Sequence, residues 1–331
     1  MKISIIIPVY NVEPYIKDCL LSVASQTYED DIECIIVNDC TPDNSCEIIE
    51  KFIGKHKGSI KFKLLHHEKN RGLSAARNTG INAATGEYIY FLDGDDEITS
   101  NCIALLSAPL KEKKYDFVIG DYSVDGADRN DFPSLHVTED EMSTNASIRR
   151  NYLSFQWYVM AVNKLYNTKF IKREKLLFKE GIIHEDDLWS FQLACIAQTM
   201  YIVKKETYIY KIRNNSITTS SPIGKRIVSI SLITEEVKRW TTQKGILYDK
   251  DIFRKVLSFR ELVLNDILSL TSSSEKKALY LKCYRKIRIS PWKAYRYKAI
   301  KCRSLVKELY NYMPRILGLW YIELYTRIFK K

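Results

Sequence analysis

Three carboxylates follow one apolar run in the first third of the chain. The run covers residues 88–92, and Asp93, Asp95 and Asp96 surround Gly94 directly after it. A continuous apolar run of this length is typical of a buried strand. Close carboxylates repel one another. The stretch is therefore either a solvated turn, with Asp96 capping the next helix, or a cation site that faces a phosphorylated ligand.

A second acidic group lies about ninety residues later. Glu185, Asp186 and Asp187 precede an apolar helical pattern at 188–197. A helix N-terminus favours acids through the helix dipole, which accounts for one or two of them better than for three. A carboxylate here could instead take a proton from a hydroxyl as a general base. His184, a lone histidine beside acids, is more often a structural hydrogen-bonding group than a metal ligand.

Alternating strands and helices must position these groups. Apolar runs at 3–10, 32–38, 62–66 and 88–92 alternate with helical patterns at 13–26, 46–53 and 75–84. This alternation predicts an α/β fold, with a Rossmann-like, doubly wound and mostly parallel sheet. Ligands bind beyond the carboxyl ends of the strands in such sheets.

Polar residues follow all four strands at that edge. They are Tyr10 and Asn11, Asp39, Asn70 and Arg71, and Asp93 and Asp95. The first strand is not followed by Gly-x-Gly-x-x-Gly, and a Walker-type loop is absent, so a classical dinucleotide site and a P-loop are excluded. The remaining device for a diphosphate is Mg²⁺ or Mn²⁺ on carboxylates. In an extended chain Asp93 and Asp95 share one side, so one can hold the metal and the other a sugar hydroxyl.

Four segments resemble, in order, the successive motifs of family 2 glycosyltransferases. They are Pro8-Val9-Tyr10-Asn11, Val37-Asn38-Asp39-Cys40-Thr41-Pro42-Asp43, Asn70-Arg71-Gly72-Leu73-Ser74-Ala75-Ala76-Arg77-Asn78 and Asp93-Gly94-Asp95-Asp96. Members of this family are inverting enzymes with a GT-A fold that use nucleotide-activated sugars. The resemblance covers about residues 1–220.

The resemblance implies a role for each matching residue. Pro8 and Tyr10 would line the base pocket, Asp39 would bind a uracil-type base, Asn70, Arg71 and Arg77 would lie near the nucleotide, Asp93 would lie near the ribose, and Asp95 would hold the metal. Cys40 stands where the family often has glycine. Because cysteine lacks glycine's freedom at positive φ, this turn departs from the family's pattern.

The acceptor side carries a second resemblance. Glu185-Asp186 with Trp189 is similar to the family's Glu-Asp-x-x-aromatic motif, which implies that Asp186 is the base and that Glu185 orients the acceptor. Asp187 remains the helix cap or the second choice as base. Arg213 lies in a segment similar to the family's Arg-x-x-Ser-Ile, which implies a diphosphate clamp; a surface arginine on an edge strand is the alternative. Lys164 is expected to be solvated rather than to touch phosphate or acceptor.

The length of 331 residues predicts two parts. We expect a GT-A catalytic domain at 1–222, with nucleotide-sugar binding at 1–98 and the acceptor side at 99–222. Within the latter, the polar segment 123–144 reads as a loop over or beside the site. Residues 223–331 are expected to form a helical, basic C-terminal region without a recognisable catalytic motif. Apolar residues recurring at three and four predict helices there at 226–244, 252–270, 275–289 and 294–310.

The basic excess lies in the tail. Residues 281–331 hold 14 Lys and Arg against 2 Asp and Glu, which leaves 37 basic and 38 acidic residues in 1–280. After Pro314, apolar residues at 316, 317, 320, 324 and 328 share one helical face. The helix could lie in a membrane surface or dock on the catalytic domain; the charge favours an anionic inner leaflet. The tail has no recognisable nucleic-acid-reading module, so no nucleic acid is expected as a partner.

The sequence as a whole predicts a metal-dependent inverting glycosyltransferase. It would transfer a sugar from a nucleotide diphosphate to a hydroxyl of a glycan or lipid-linked glycan in surface polysaccharide assembly. UDP is the favoured nucleotide. Scattered cysteines, no signal peptide and no span of about 18 apolar residues favour a cytoplasmic protein, peripheral on the inner membrane face. The alternative from another class is a sugar-nucleotide-binding regulator without turnover.

Overall fold

The chain forms two compact units in a computed structural model that describes residues 1–212 and 222–329. One unit comprises Met1–Gly181 and Glu185–Ser216, and the other comprises Ile182–His184 and Ile217–Lys331. Arg213, the expected diphosphate clamp, lies outside the described residues. The boundary after residue 222 and the division of 1–222 into donor and acceptor parts stay predictions.

One sheet organises the first unit. Its strands are β1 (Ile3–Val9), β2 (Ile32–Asn38), β3 (Lys61–His66), β4 (Tyr88–Phe91), β5 (Glu97–Ile98), β6 (Phe117–Asp125), β7 (Glu141–Met142), β8 (Lys164–Asn167) and β9 (Met200–Lys211). Their order is β3-β2-β1-β4-β8-β6-β9-β5, with β7 paired to β9. β1 to β4 are parallel, as is the β6–β9 pair, whereas the pairs involving β8, β5 and β7 are antiparallel. The α/β fold is confirmed; the parallel arrangement dominates only in the first four strands.

Seven α-helices accompany this sheet in the described part of the first unit. They are α1 (Ile16–Ala24), α2 (Ser45–Lys55), α3 (Leu73–Ala83), α4 (Cys102–Ser107), α5 (Asn145–Leu153), α6 (Thr168–Glu174) and α7 (Glu185–Ile196). α3 packs directly on β1, where a Cβ at Gly80 would lie 2.3 Å from Cγ2 of Ile6. Only glycine permits this close approach, and it brings the first turns of α3 to the carboxyl edge of the sheet.

The sequence predicted a loop at residues 123–144, but the structure contains regular elements there. β6 continues to Asp125, a short 3₁₀ helix follows at Arg129–Asp131, and β7 adds Glu141–Met142 to the sheet. Met142 is buried and pairs with Met200. Pairing with β9, which the local polar composition does not reveal, imposes this structure.

The second unit is helical, as predicted. Its α-helices are α8 (Ile223–Gln243), α9 (Lys250–Ser269), α10 (Ser273–Ile287), α11 (Pro291–Arg296), α12 (Leu305–Glu308) and α13 (Arg315–Phe329). The continuous helix expected at 294–310 is wrong, because Lys298 has φ of 56° and the chain turns there before α12. Arg260 and Glu308, both buried, join α9 to α12 through two hydrogen bonds of 2.6 Å.

Helix α13 has two apolar faces. Leu319 and Ile322 are buried inside the second unit. The side chains at 317, 320, 324 and 328 are 52%, 60%, 39% and 57% exposed. The helix therefore packs on its own unit and also presents an outward apolar stripe. Among the helices that the structure describes, none is both long enough and apolar enough to cross a membrane.

A carboxylate and arginine cluster as the candidate active site

The acidic loop after β4 lies against the end of β1. Leu92 N donates to Ile6 O at 3.0 Å, so the backbone groups of Ile6 face the β4 side of the strand. By alternation the backbone nitrogen of Pro8 faces the same side, but β4 has already ended at Phe91. The missing N–H of a proline inside this strand therefore leaves no ladder bond unmade. A Cβ at Gly94 would lie 3.1 Å from the Pro8 carbonyl oxygen. Glycine thus lets the acidic loop approach the buried end of β1.

The turn after β1 is built without glycine. Asn11 N donates to Thr41 Oγ1 and Glu13 N donates to Asp43 Oδ2, each at 2.8 Å. Side chains from the turn after β2 thus satisfy backbone donors that would otherwise need water. Tyr10 remains 45% exposed at this edge of the sheet. An exposed aromatic ring beside a polar edge can stack on a flat ligand.

Asp39 holds the loop that leads into α3. Its carboxylate accepts hydrogen bonds from Arg71 N at 2.9 Å and Gly72 N at 2.7 Å, and it lies 2.6 Å from Nδ1 of His67. The His67 ring reaches Thr79 Oγ1 through its other nitrogen, at 2.8 Å. The strand pattern predicted Asp39 at this edge, whereas His67 was not among the predicted site residues. Its position directly after β3, beside the other strand-end polar residues, was the available signal.

Cys40 adopts the conformation that glycine would favour. Its φ is 55°, in the left-handed region. The turn therefore keeps the backbone that the family's glycine implies, at a conformational cost to cysteine. Asn70 and Arg71 are exposed on the next loop, and the Arg71 guanidinium lies 3.2 Å from Glu180. Both partners are nearly half exposed, so this ion pair is weak.

Arg77 joins the two acidic groups. Its Nη2 donates to Asp93 at 2.8 Å, and its Nη1 donates to Glu185 and Asp186 at 2.9 Å each. The guanidinium is 1% exposed. Burial disfavours its charge, but the carboxylates of Asp93, Asp186 and Glu185 outweigh that cost and raise the pKa of Arg77. Arg77, which the resemblance assigned to the nucleotide, thus contacts carboxylates from both predicted halves of the site.

Glu185 and Asp186 differ in environment at the start of α7. Burial, reinforced by the charge of Asp186 and opposed by Arg77, raises the pKa of Glu185 to about 7. Asp186 is 24% exposed, and its other oxygen accepts a 3.2 Å hydrogen bond from Ala161 N. Its orientation is therefore fixed by two donors while part of it faces solvent. α7 is anchored by Trp189, whose ring stacks on Phe178 with centroids 4.0 Å apart.

The three acids around Gly94 are not equivalent. Asp96 is buried, and it accepts hydrogen bonds from Tyr208 Oη at 2.6 Å and Lys211 N at 2.8 Å. Burial, with the nearby charges of Asp95 and Asp93, raises its pKa well above the usual value. The solvated turn with Asp96 as a helix cap is therefore wrong. Asp93 and Asp95 are the partly exposed carboxylates of the loop.

Lys164 is buried, against the prediction of a solvated lysine. It begins β8, which lies between β4 and β6 in the sheet, and it is 0% exposed. Its Nζ donates to the carbonyl oxygen of Met160 and lies 4.1 Å from the ring centroid of Tyr158. Burial lowers the pKa of Lys164, opposed by the charge of Asp186. An interior strand position overrides the usual preference of lysine for the surface.

Comparisons with known proteins identify the family of this chain. Residues 4–174 match the family model described as glycosyl transferase family 2. The glycosyltransferase EpsJ of Bacillus subtilis (strain 168) is 37% identical over 223 residues, which cover 65% of this chain and 62% of EpsJ. The poly(ribitol-phosphate) beta-N-acetylglucosaminyltransferase TarP of Staphylococcus aureus (strain N315) is 31% identical over 226 residues, 67% of this chain and 66% of TarP.

A solved structure extends the comparison to nearly the whole chain. The crystal structure of S. aureus TarS 1–349 in complex with UDP-GlcNAc has a TM-score of 0.75 with this chain at 20% identity. The match covers 99% of this chain and 92% of the TarS chain. The two proteins therefore share a fold. The chain belongs to glycosyl transferase family 2 and has the GT-A fold that its four sequence motifs predict.

Proposed function

We propose that this chain transfers a sugar, with inversion, from a UDP-sugar to a hydroxyl of a glycan or lipid-linked glycan acceptor. The observation that carries the proposal is the contact of one buried guanidinium, Arg77, with both Asp93 and the Glu185–Asp186 pair. An inverting transfer needs a donor site and a base held at a fixed distance from it. A single rigid side chain bonded to both supports that arrangement.

In this proposal Asp186 is the general base. As the acceptor hydroxyl attacks C1 of the donor sugar, its proton passes to Asp186 and the bond from C1 to the diphosphate oxygen breaks on the opposite face. The two donors on Asp186, Arg77 and Ala161 N, hold it in one orientation. Glu185, with a pKa of about 7, carries a proton part of the time near neutral pH and can donate it to an acceptor oxygen.

The donor would bind at the carboxyl edge of β1, β2 and β3. The exposed ring of Tyr10 offers a stacking surface for the base beside Pro8. Asp39 would help to bind the uracil-type base, together with the loop that its carboxylate holds. Asn70 and Arg71 on that loop would face the nucleotide. The UDP and UDP-GlcNAc complexes of TarS support a uridine nucleotide as the class of donor.

The loop after β4 offers a ligand set that suits Mg²⁺ or Mn²⁺. Two partly exposed carboxylates remain there once Asp96 turns into the core, and hard divalent cations prefer such oxygen donors. Asp95 would hold the ion, and Asp93, which is paired with the Arg77 guanidinium, would lie near the ribose. The cation would neutralise charge on the leaving diphosphate.

We place this reaction at the cytoplasmic face of an anionic membrane, in surface polysaccharide assembly. The outward stripe of α13 combines an exposed Trp320 with aliphatic side chains, and the surrounding tail is strongly basic. Such a combination suits the interface of an anionic bilayer. A lipid-linked acceptor would be presented at the same surface.

The test is UDP release from UDP-sugars in the presence of Mn²⁺ and candidate acceptors. Asp186→Asn should lower kcat by about 10²–10⁴-fold, the range of a lost general base, and leave UDP affinity unchanged. Asp95→Asn should instead weaken metal-dependent UDP binding. Asp187→Asn, next to the base on the same helix, is the control that decides between the two candidate bases.

Two results would overturn the proposal. Full transfer activity in the Asp186 and Asp95 variants would refute the assignment of these residues as base and metal ligand. UDP binding without UDP release by the wild-type chain, across the donor and acceptor panel, would instead indicate a sugar-nucleotide-binding regulator.

A further inference from the structure

The turn at residues 159–161, beside the proposed base, is held by side chains on every side. Ser190 Oγ donates to the Val159 carbonyl, Lys164 Nζ to the Met160 carbonyl, Tyr166 Oη to the Ala161 carbonyl at 2.7 Å, and Ala161 N donates to Asp186 at 3.2 Å. Three successive carbonyl groups are therefore bonded within a tripeptide. The turn is fixed more tightly than a surface connection requires.

Two of these contacts share one peptide group. The Met160 carbonyl that accepts from Lys164 and the Ala161 N–H that donates to Asp186 belong to the same peptide unit. A donor on the carbonyl oxygen draws electron density from the peptide and strengthens the bond made by its N–H. The side chain of Lys164 thus acts on Asp186 through a single amide.

Burial makes the placement of Lys164 expensive. The residue is 0% exposed, and its described contacts are the Met160 carbonyl and the faces of Tyr158 and Trp157. An ammonium group removed from water into such surroundings is costly, and an apolar side chain of the same length would fill the space without that cost. A lysine here therefore needs a reason other than packing.

We infer that Lys164 is a positioning residue for the base: through the Met160–Ala161 peptide it fixes and polarises the donor that aims Asp186 at the acceptor. The inference rests on the proposed function, because it assigns Lys164 a role in the same transfer. It also gives the carboxylate cluster a second basic side chain besides Arg77, placed behind the base rather than beside it.

The test compares Lys164→Met with Lys172→Met. Lys172 makes the same kind of bond, from Nζ to the Ala84 carbonyl at 3.0 Å, on α6. Lys164→Met should lower kcat by about 10–100-fold, as expected for a displaced catalytic group, with UDP affinity unchanged. Its acid limb in the pH profile of kcat should move to higher pH, because the base loses a polarised donor. Lys172→Met should match the wild type in both.

Tyr166→Phe separates position from charge. It removes a bond to the same turn, on the Ala161 carbonyl, but no cation. We expect a lower kcat with the acid limb unmoved, and this variant tests the role of the turn even if Lys164→Met does not fold.

The outcomes are distinct. If the wild type releases no UDP, the proposed function fails. If it turns over and Lys164→Met keeps both kcat and the acid limb, the role of Lys164 is overturned. A fall in kcat without movement of the limb would also overturn it, leaving only a packing role.

Discussion

Replacing Arg77 by methionine should destabilise the first unit strongly and in a pH-dependent way. The change removes three hydrogen bonds of 2.8–2.9 Å and leaves Glu185 buried beside Asp186 without the guanidinium that balanced their charges. Removing one partner of a buried ion pair costs about 3–5 kcal/mol. Asp93 and Asp186 are about a quarter exposed and recover some hydration, so the loss should lie toward the lower end of that range.

The pH dependence follows from Glu185. Its pKa in the folded protein is about 7, above the usual value, and loss of Arg77 should raise it further. A carboxyl group with a raised folded-state pKa stabilises the fold at low pH and loses that contribution as pH rises. The variant should therefore lose up to about 1.4 kcal/mol between pH 7 and pH 8, since one pH unit across a still-protonated group corresponds to about 1.4 kcal/mol. The wild type, in which Glu185 is already partly ionised at pH 7, should lose clearly less over the same range.

Urea unfolding at pH 6, 7 and 8 measures both effects. The matched control is Arg71→Met, which breaks an exposed ion pair with Glu180 and should cost less than about 1 kcal/mol at every pH. Arg77→Lys keeps a positive charge, but a single ammonium group cannot reach all three carboxylates as the forked guanidinium does. Its stability should therefore lie between those of Arg77→Met and Arg71→Met. A loss in Arg77→Met no greater than in Arg71→Met, or a loss that shrinks as pH rises, would refute the reasoning.

Three further predictions concern other parts of the chain. Glu185→Gln removes the titration near pH 7, so its stability relative to the wild type should rise between pH 5.5 and 8.5 in urea unfolding; an unchanged difference would contradict the raised pKa. Gly94→Ala should keep the fold but weaken UDP binding by about tenfold in calorimetry, because the new Cβ lies 3.1 Å from the Pro8 carbonyl oxygen and must displace the acidic loop proposed to hold the metal; unaltered affinity would show that the loop does not bind the donor. Leu317→Glu with Trp320→Glu should abolish sedimentation with vesicles containing phosphatidylserine while Tm stays within a few degrees; retained vesicle binding, or a loss of self-association in ultracentrifugation instead, would indicate a different use of this face.

The local features of the fold were predictable from the sequence, because apolar periodicity reports directly on burial. The bounds predicted for β2 agree with the structure, and the strand-end polar residues do follow parallel strands. The contacts that define the candidate site were not predictable in this way. Arg77 meets Glu185 across 108 residues, and Asp96 meets Tyr208 across 112. Hydropathy carries no information on pairs so distant.

Lys164 and Asp96 also show that a local sequence pattern does not predict tertiary burial. A charged residue reads as solvent-exposed in any local window, yet both are buried once β8 and β9 join the sheet. Conversely, the helix expected at 294–310 had a good local pattern and is broken at Lys298, where tertiary packing sets the backbone. Tertiary packing, and not local sequence, therefore determines the burial of Lys164 and Asp96.

The triple contact of Arg77 has a consequence for recombining this chain with its relatives. A chimera that takes the first hundred residues from one protein and the next hundred from another would divide Arg77 and Asp93 from Glu185 and Asp186. If the parents differ in the arginine rotamer or in loop length there, the chimera would contain buried charges without their partners. Specificity grafts in this fold should move the arginine and all three carboxylates together, or leave all four in place.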